Sequence, residues 1–342
     1  MVPNLKRESA DIAANRKKDH IDLALRAQTT DNDRDARFYY EPMLSAHPEP
    51  LAPFQFLNKT FQAPIWISSM TGGTAKAGVI NHQLARVTRE YGLGMGLGSC
   101  RTLLFDDATL PDFAVRKTIG DQPLYANLGI AQIEQLHRSH KQHLIHDLLV
   151  KLEADGLIVH VNPAQEWLQP EGDRLMESPL DSIRRLLDWF PFPIIVKEVG
   201  QGMGYESLVA LLALPIAAIE FGAFGGTNFA LLEMMRSDDV KNDAYRGLEQ
   251  VGHTAGEMVE FVNTAVAELG NRRSCGEIIV SGGIRSFLDG HYYLQRLSLP
   301  GIYGQASPFL KYALGSYEGL QQFVEYQLSG LQFARSYLKM KS

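Results

Sequence analysis

Eight short apolar runs constrain this chain more than any other feature. Each ends in glycine or small polar residues, and each is followed by a helix-like segment. They read PIWISSMTGG from Pro64, GLGMGLGSCR from Gly92, PLYANLGI from Pro123, GLIVHVN from Gly156, PIIVKEVG from Pro193, AAIEFGAFGGTN from Ala217, EIIVSGGIRS from Glu277 and GIYGQASPFL from Gly301. Their starts lie roughly 25 to 35 residues apart through most of the chain, which suits βα units. The interval before EIIVSGGIRS is longer and leaves room for an insertion. Continuous apolar runs fit parallel strands buried on both faces. Eight near-regular units with no midpoint shift in composition predict an α/β fold, a (β/α)8 TIM barrel with an N-terminal extension, over the competing doubly wound sheet. The first sixty residues are polar and irregular, so the expected division is an arm over 1–60 and a barrel over 61–342.

Composition narrows the class. The 342 residues are 45% hydrophobic, enough for one large core. With 33 basic and 39 acidic side chains the net charge is -6. A nucleic-acid binder usually carries a basic surplus, so no nucleic-acid partner is expected. Two cysteines, Cys100 and Cys275, give no disulfide framework and point to a reducing cytoplasm. The N-terminal stretch is polar and lacks an apolar signal-peptide core. The longest greasy run, LVALLALPIAAIEF, is too short to span a bilayer and contains Pro215. A cytoplasmic protein with no membrane partner is the expectation.

In barrels of this kind chemistry sits on loops at the C-terminal ends of the strands. Every Gly-rich or polar cluster quoted lies at that end of its run. SGGIRS (281–286) and GQASP (304–308) follow the seventh and eighth strands, where backbone N–H groups often build a phosphate site. Glycine allows close approach to an anion, and Arg285 or a helix N-terminus adds positive potential. GGTN (225–228) adds a third loop. Lys197 ends the run IIVK, where an unpaired charge is costly; it either neutralises an anionic ligand or pairs with Glu198 or Glu166. The stretch VHVNPAQE (159–166) is the most concentrated polar strand end. Alternation places His160 and Asn162 on one face, with Gln165 and Glu166 on the loop above. Glu166 is a hard oxygen ligand suited to Mg²⁺, which is usually held by one or two carboxylates plus substrate phosphates. His160, Asn162 and Gln165 suit hydrogen bonding to an anionic substrate; an internally satisfied polar plug is the bland alternative. RKKDH (16–20) reads either as a solvated helix start or as an arm folding over the rim.

Two features read as decoys. HRSHKQHLIH spaces His137, His140, His143 and His146 three apart like metal ligands, yet it falls in the helix between the third and fourth strands and reads as polar helix surface. Cys100 beside Arg101 suggests a lowered-pKa thiol, but a small buried core residue is the better reading.

RKKDH, SSMTGG, GLGSCR, ANLG, HVNPAQE, PEGDR, KEVGQGMG, FGGTNF and SGGIRS, in that order over roughly residues 16 to 310, resemble the type 2 isopentenyl diphosphate isomerases. H-x-N-x-x-Q-E together with RKKDH separates that family from other FMN barrels. The resemblance implies an FMN-binding barrel over 61–342 and an arm over 1–60 that contributes to the substrate site. It implies interconversion of isopentenyl and dimethylallyl diphosphate with no net redox, on reduced FMN, with NADPH as reductant and Mg²⁺ required. It implies that Ser69, Met70, Thr71, Ser99 and Asn127 line the isoalloxazine, that Lys197 sits by its pyrimidine edge, and that Thr227 contacts it. By the same resemblance, Gly282, Gly283, Arg285, Ala306 and Ser307 would frame the FMN phosphate. Arg16, Lys17, Ser99, Arg101, His160, Asn162 and Gln165 would hold the substrate diphosphate or its neighbourhood, and Glu166 would bind the metal. The resemblance further implies that protons move at the reduced flavin, with N5 the favoured centre, that Gln165 relays or orients them, and that His160 and Asn162 complete the catalytic set. A homo-oligomer, tetramer or octamer, is expected. The chain departs from the family at Pro163, at Cys100 (usually Gln), at Gly222 (often a flavin-contacting Ser) and at Ser307 (usually Gly). The rivals are an FMN-dependent 2-hydroxy-acid oxidoreductase and a non-catalytic flavin-binding barrel.

Overall fold

The computed structural model describes residues 10–341. Two compact units are present. The described residues up to Tyr40, with those from Lys339 on, form one. It holds a helix, Ala10–Ala24, and a strand, β1 (Phe38–Tyr40). The helix carries RKKDH, so the stretch read as irregular is regular there. Glu41–Leu338 form the second unit.

The second unit opens with a hairpin, β2 (Phe54–Phe56) and β3 (Lys59–Phe61), paired antiparallel. Its two-residue turn places Leu57 and Asn58 at φ 50 and 57, the conformation that matches strand twist. A leucine in the left-handed region costs about 1–2 kcal/mol. Leu57 is buried, and burying a leucine contributes about 2 kcal/mol, which offsets that strain.

Eight parallel strands follow: β4 (Ile65–Ile67), β5 (Gly94–Gly96), β6 (Leu124–Gly129), β7 (Gly156–Val161), β8 (Ile194–Glu198), β9 (Ala218–Glu220), β10 (Ile278–Ser281) and β11 (Gly301–Gln305). They close in chain order, with β11 against β4 and β9 against β10. All eight sequence runs supply one strand each, and the (β/α)8 barrel is the observed fold. A twelfth strand, β12 (Leu338–Met340), pairs with β1. The long β9–β10 interval is filled by helices Phe229–Met235, Asp239–Tyr245 and Ala255–Leu269.

Strand alternation sorts the side chains into two cores. One set faces the helices, among them Val159, Val161 and Val196. The other fills the barrel near the N-terminal ends of the strands: Trp66, Tyr125, Ile158, Ile195, Ala218, Ile279 and Ile302, packed with Phe56, Leu57 and Phe61 of the hairpin. Trp66 and Tyr125 meet edge to face at 5.9 Å. The hairpin is tied to the barrel by Leu57 N, which donates to Glu277 Oε2 at 2.9 Å just before β10. The floor is therefore sealed and apolar, and only the opposite end of the barrel is left for chemistry. No helix among the described residues is long and apolar enough to cross a membrane.

Candidate active site at the barrel mouth

One layer above the apolar floor the inward residues become polar. The same alternation that buries Tyr125, Ile158, Ile195 and Ile279 turns Asn127, His160, Lys197 and Ser281 inward two residues later. Register brings His160 beside Lys197. His160 Nδ1 lies 2.6 Å from Asn127 Oδ1. An amide oxygen only accepts, so the ring carries its proton on Nδ1 and leaves Nε2 as an acceptor. Burial first, and the charge of Lys197 second, push His160 down to about 4. The imidazole is neutral at physiological pH. Lys197 is buried and donates from Nζ to the Glu198 carbonyl at 2.6 Å, rather than to either carboxylate that the sequence offered. Glu198 faces away from the barrel interior. Its Oε2 accepts from the backbone N–H groups of Gly200, Gln201 and Gly202 at 2.6–2.8 Å, which fixes the loop after β8; burial still raises its carboxyl above the usual range.

The end of β7 is more ordered than the sequence suggested. Gln165 and Glu166 do not sit on a loop but on a short helix, Pro163–Leu168. Pro163 occupies its first turn, where the missing N–H is no loss and φ is preset, which accounts for the departure from the family pattern. Asn162 is buried and makes no capping bond of its own. Its Nδ2 donates instead to Gln165 Oε1 at 3.0 Å and Glu166 Oε1 at 3.1 Å, leaving Oδ1 buried without a partner.

Two residues given no role in the sequence reading complete this cluster. Glu233, in helix Phe229–Met235, is buried; its Oε1 accepts from Gln165 Nε2 at 3.4 Å and its Oε2 from Arg236 at 2.7 Å. Asp173 donates its backbone N–H to Glu166 Oε2 at 2.7 Å. Its carboxylate gathers Gln132, Gln135 and Arg101, the last at 3.1 Å. The available signals were an acid inside an otherwise apolar helix and the PEGDR motif. Arg101 is mostly exposed, so the ion pair itself contributes less than about 1 kcal/mol; its effect is to bring the loop after β5 to the loop after β7.

The glycine-rich loops after β9, β10 and β11 enclose a cavity of about 460 Å³, within the range of cofactor sites. Ser69, Lys197, Thr227, Gly282, Gly283, Arg285, Ala306 and Ser307 line it. Met70 packs into the outer core, Asn127 is taken by His160, and Thr71 and Ser99 lie on the neighbouring loops; none of these four lines the cavity. Gly282 has φ +87, and a Cβ there would lie 2.1 Å from Ala223 O. Gly222 has φ +55, with a Cβ position 2.0 Å from Glu198 O. A serine does not fit at 222 without moving backbone, and its N–H donates instead to Ser281 Oγ at 3.0 Å.

An FMN fits this cavity: bare glycine backbone approaches it on one side, Lys197 reaches it from below, and the Ser68 and Ser69 hydroxyls are buried without partners beside it. A divalent cation fits less as a cage than as a bridge. No group of three or more His, Cys, Asp or Glu side chains converges among the described residues. Glu166 offers one carboxylate beside the orphaned Asn162 Oδ1, which suits Mg²⁺ shared with substrate phosphates. Arg16 and Lys17 lie exposed on helix Ala10–Ala24 of the other unit. The histidine series falls on helices Ile130–Arg138 and His143–Leu152 and their connection; His140, His143 and His146 are exposed and His137 half-buried, as the surface reading expects. Cys100 is fully buried, and burial pushes its thiol up to about 12, so it is a core residue.

No protein-family model matches the chain. Among solved structures, a flavocytochrome b2 variant with sulfite bound superposes with a TM-score of 0.60 at 14% identity, covering 88% of this chain and 72% of that one. A mandelate oxidase variant with an FMN monooxide adduct gives 0.53 at 14% identity, over 97% and 99%. At that identity the likeness is one of fold. Curated relatives decide more. An isopentenyl-diphosphate delta-isomerase of Rickettsia felis is 33% identical over 319 residues, 90% of this chain and 87% of that protein. One of Nostoc sp. is 34% identical over 319 residues, 91% and 87%. With that similarity along nearly the whole length of both proteins, the chain belongs to the isopentenyl-diphosphate delta-isomerase family.

Proposed function

We propose that this protein interconverts isopentenyl and dimethylallyl diphosphate in an FMN- and Mg²⁺-dependent reaction with no net redox, a step that supplies isoprenoid precursors. The observation that carries the reading is the continuity of two sites. The polar end of β7, from His160 to Glu166, adjoins the glycine-lined cavity through the neighbouring pair His160 and Lys197.

The reaction moves a double bond: one proton is added at the terminal alkene carbon and one is removed from the carbon nearer the diphosphate, so the formula is unchanged. Bound FMN, once reduced by NADPH, supplies the electron-rich centre next to which these transfers occur. The chain supplies position and charge. Gly282, Gly283, Arg285, Ala306 and Ser307 hold the cofactor phosphate, and Thr227 and Ser69 bound the ring site. Lys197 presents its ammonium to the ring's polar edge and favours an anionic occupant. Glu166 would hold Mg²⁺, whose charge would offset that of the substrate diphosphate, with Arg101 and Ser99 on the loop after β5 as further diphosphate contacts. Gln165 is neutral and held on both sides, its Oε1 by Asn162 and its Nε2 by Glu233. It is placed to orient a transferring proton without binding it. Neutral His160 holds its Nδ1 proton on Asn127 and offers Nε2 as an acceptor to the substrate side.

Turnover in D2O with FMN, NADPH and Mg²⁺ tests the reading. Dimethylallyl diphosphate carrying solvent deuterium in its new methyl group is the expected product. A substrate recovered unexchanged under reducing conditions would overturn it.

A further inference from the structure

The barrel interior holds a second buried charge-bearing group beside Lys197. Glu220 ends β9 and is fully buried, and neither of its carboxylate oxygens has a hydrogen-bond partner. Ala218, two residues earlier, belongs to the apolar floor, so Glu220 points inward one layer above it. Register places it directly beside Lys197 on β8, on strands about 4.8 Å apart. The other inward groups at this level offer it no charge. Asn127 and His160 are bonded to each other, Ser281 Oγ accepts from Gly222, and Ser68 Oγ is itself without a partner. Among the described residues Lys197 is the single cation in this layer.

A lone ionised carboxylate cannot persist in such surroundings; it needs a cation or a proton. Lys197 has a flexible four-carbon stem that can turn from the Glu198 carbonyl toward the adjacent strand. We propose that Glu220 is a positioning residue for Lys197: its carboxylate is the counter-charge that holds the ammonium from the adjacent strand, and it thereby sets how much positive charge the cavity presents to its occupant. The proposal rests on the FMN reading for its functional consequence. An anion in the cavity and Glu220 share one ammonium. Removing the Glu220 charge leaves Lys197 wholly to the cavity, which then favours the more negative, reduced form of the cofactor. Removing Lys197 leaves Glu220 without a counter-charge, so its own replacement then has little further effect on the cavity.

The test is a double-mutant cycle of Glu220→Gln and Lys197→Met on the full chain, read as affinity for oxidised and for reduced FMN. Glu220→Gln, nearly isosteric, should raise the ratio of reduced to oxidised affinity about tenfold, a rise of about 30 mV in midpoint potential for a two-electron couple. In the Lys197→Met background the same change should alter the ratio less than twofold. An unchanged ratio in Glu220→Gln, or an equal shift in both backgrounds, overturns the proposal. Infrared difference spectra of wild type and Lys197→Met provide a second readout that needs neither FMN nor a folded Glu220→Gln. Lys197→Met should show a shifted carboxylate stretching band, as a buried carboxylate that has lost its counter-ion does, and an unchanged carboxylate region also overturns the proposal. Failure of the wild type to take up FMN would instead defeat the cofactor reading and leave the infrared result to decide on Glu220.

Discussion

Replacing His160 with glutamine should change the shape of the stability–pH curve, not only its height. Folded His160 titrates near 4 against an ordinary 6.5, because burial and then Lys197 disfavour the imidazolium. In the unfolded chain it takes a proton near 6.5. Between those values the unfolded state binds a proton that the folded state refuses, so stability is full above pH 6.5, falls as pH drops toward 4, and levels off below. That gap corresponds to about 3 kcal/mol lost across the window. Glutamine can still meet Asn127 but does not titrate. The variant should lose about 1 kcal/mol at pH 7.5 through a poorer hydrogen bond, then be spared the acid fall. The two curves should cross, with the wild type about 2 kcal/mol less stable at pH 4. His291 is also pushed down to about 4, by burial and by Arg335; it titrates in both proteins and cancels. Urea unfolding followed by circular dichroism at half-unit pH steps measures this, with the m-value as the control for two-state behaviour. A gap between the proteins that stays constant from pH 7.5 to 4 would show that His160 is not held neutral.

Three further outcomes are expected. Glu166→Gln should cut Mg²⁺-dependent turnover at least a hundredfold while leaving FMN affinity unchanged, since Glu166 lies outside the glycine-lined cavity; loss of FMN on gel filtration would contradict that assignment. Gly282→Ala should destabilise the protein by about 2–4 kcal/mol, from a left-handed backbone and a backbone clash at 2.1 Å, and should empty the cofactor site; a variant with wild-type melting and flavin content would refute it. Asp173→Asn should lower affinity for the diphosphate substrate more than maximal rate, because it loosens Arg101 and the loop that bonds Glu166; isothermal titration with substrate and Mg²⁺ reads the binding directly.

Much of the fold was legible because parallel strands leave an unmistakable trace: eight apolar runs, each punctuated by glycine. The rim was legible for the same reason, since alternation alone turns Asn127, His160 and Lys197 to one side. The less legible parts depend on contacts distant in sequence. Nothing local in PFQFLNKTF announces a hairpin that seals the barrel floor, because its turn uses Leu57 and Asn58 without a glycine and depends on burial against the barrel floor and on a bond to Glu277, 220 positions away. Glu220 sits within an apolar run and reads as an interruption until register sets it beside Lys197. Glu233 reaches the β7 end across 68 residues, and Asp173 draws in Arg101 from the loop after β5. The serine expected at Gly222 is excluded by a carbonyl from the neighbouring strand's end, which only the folded backbone reveals.

The most direct test of the account is an anaerobic absorbance spectrum of the purified, FMN-loaded protein, taken before and after NADPH and again after isopentenyl diphosphate and Mg²⁺ are added. Yellow protein should bleach with NADPH, stay bleached with substrate, and form dimethylallyl diphosphate through many turnovers. Flavin that reoxidises stoichiometrically as substrate is consumed would mark an oxidoreductase, and a protein that takes up no FMN would contradict the cofactor site on which the account stands.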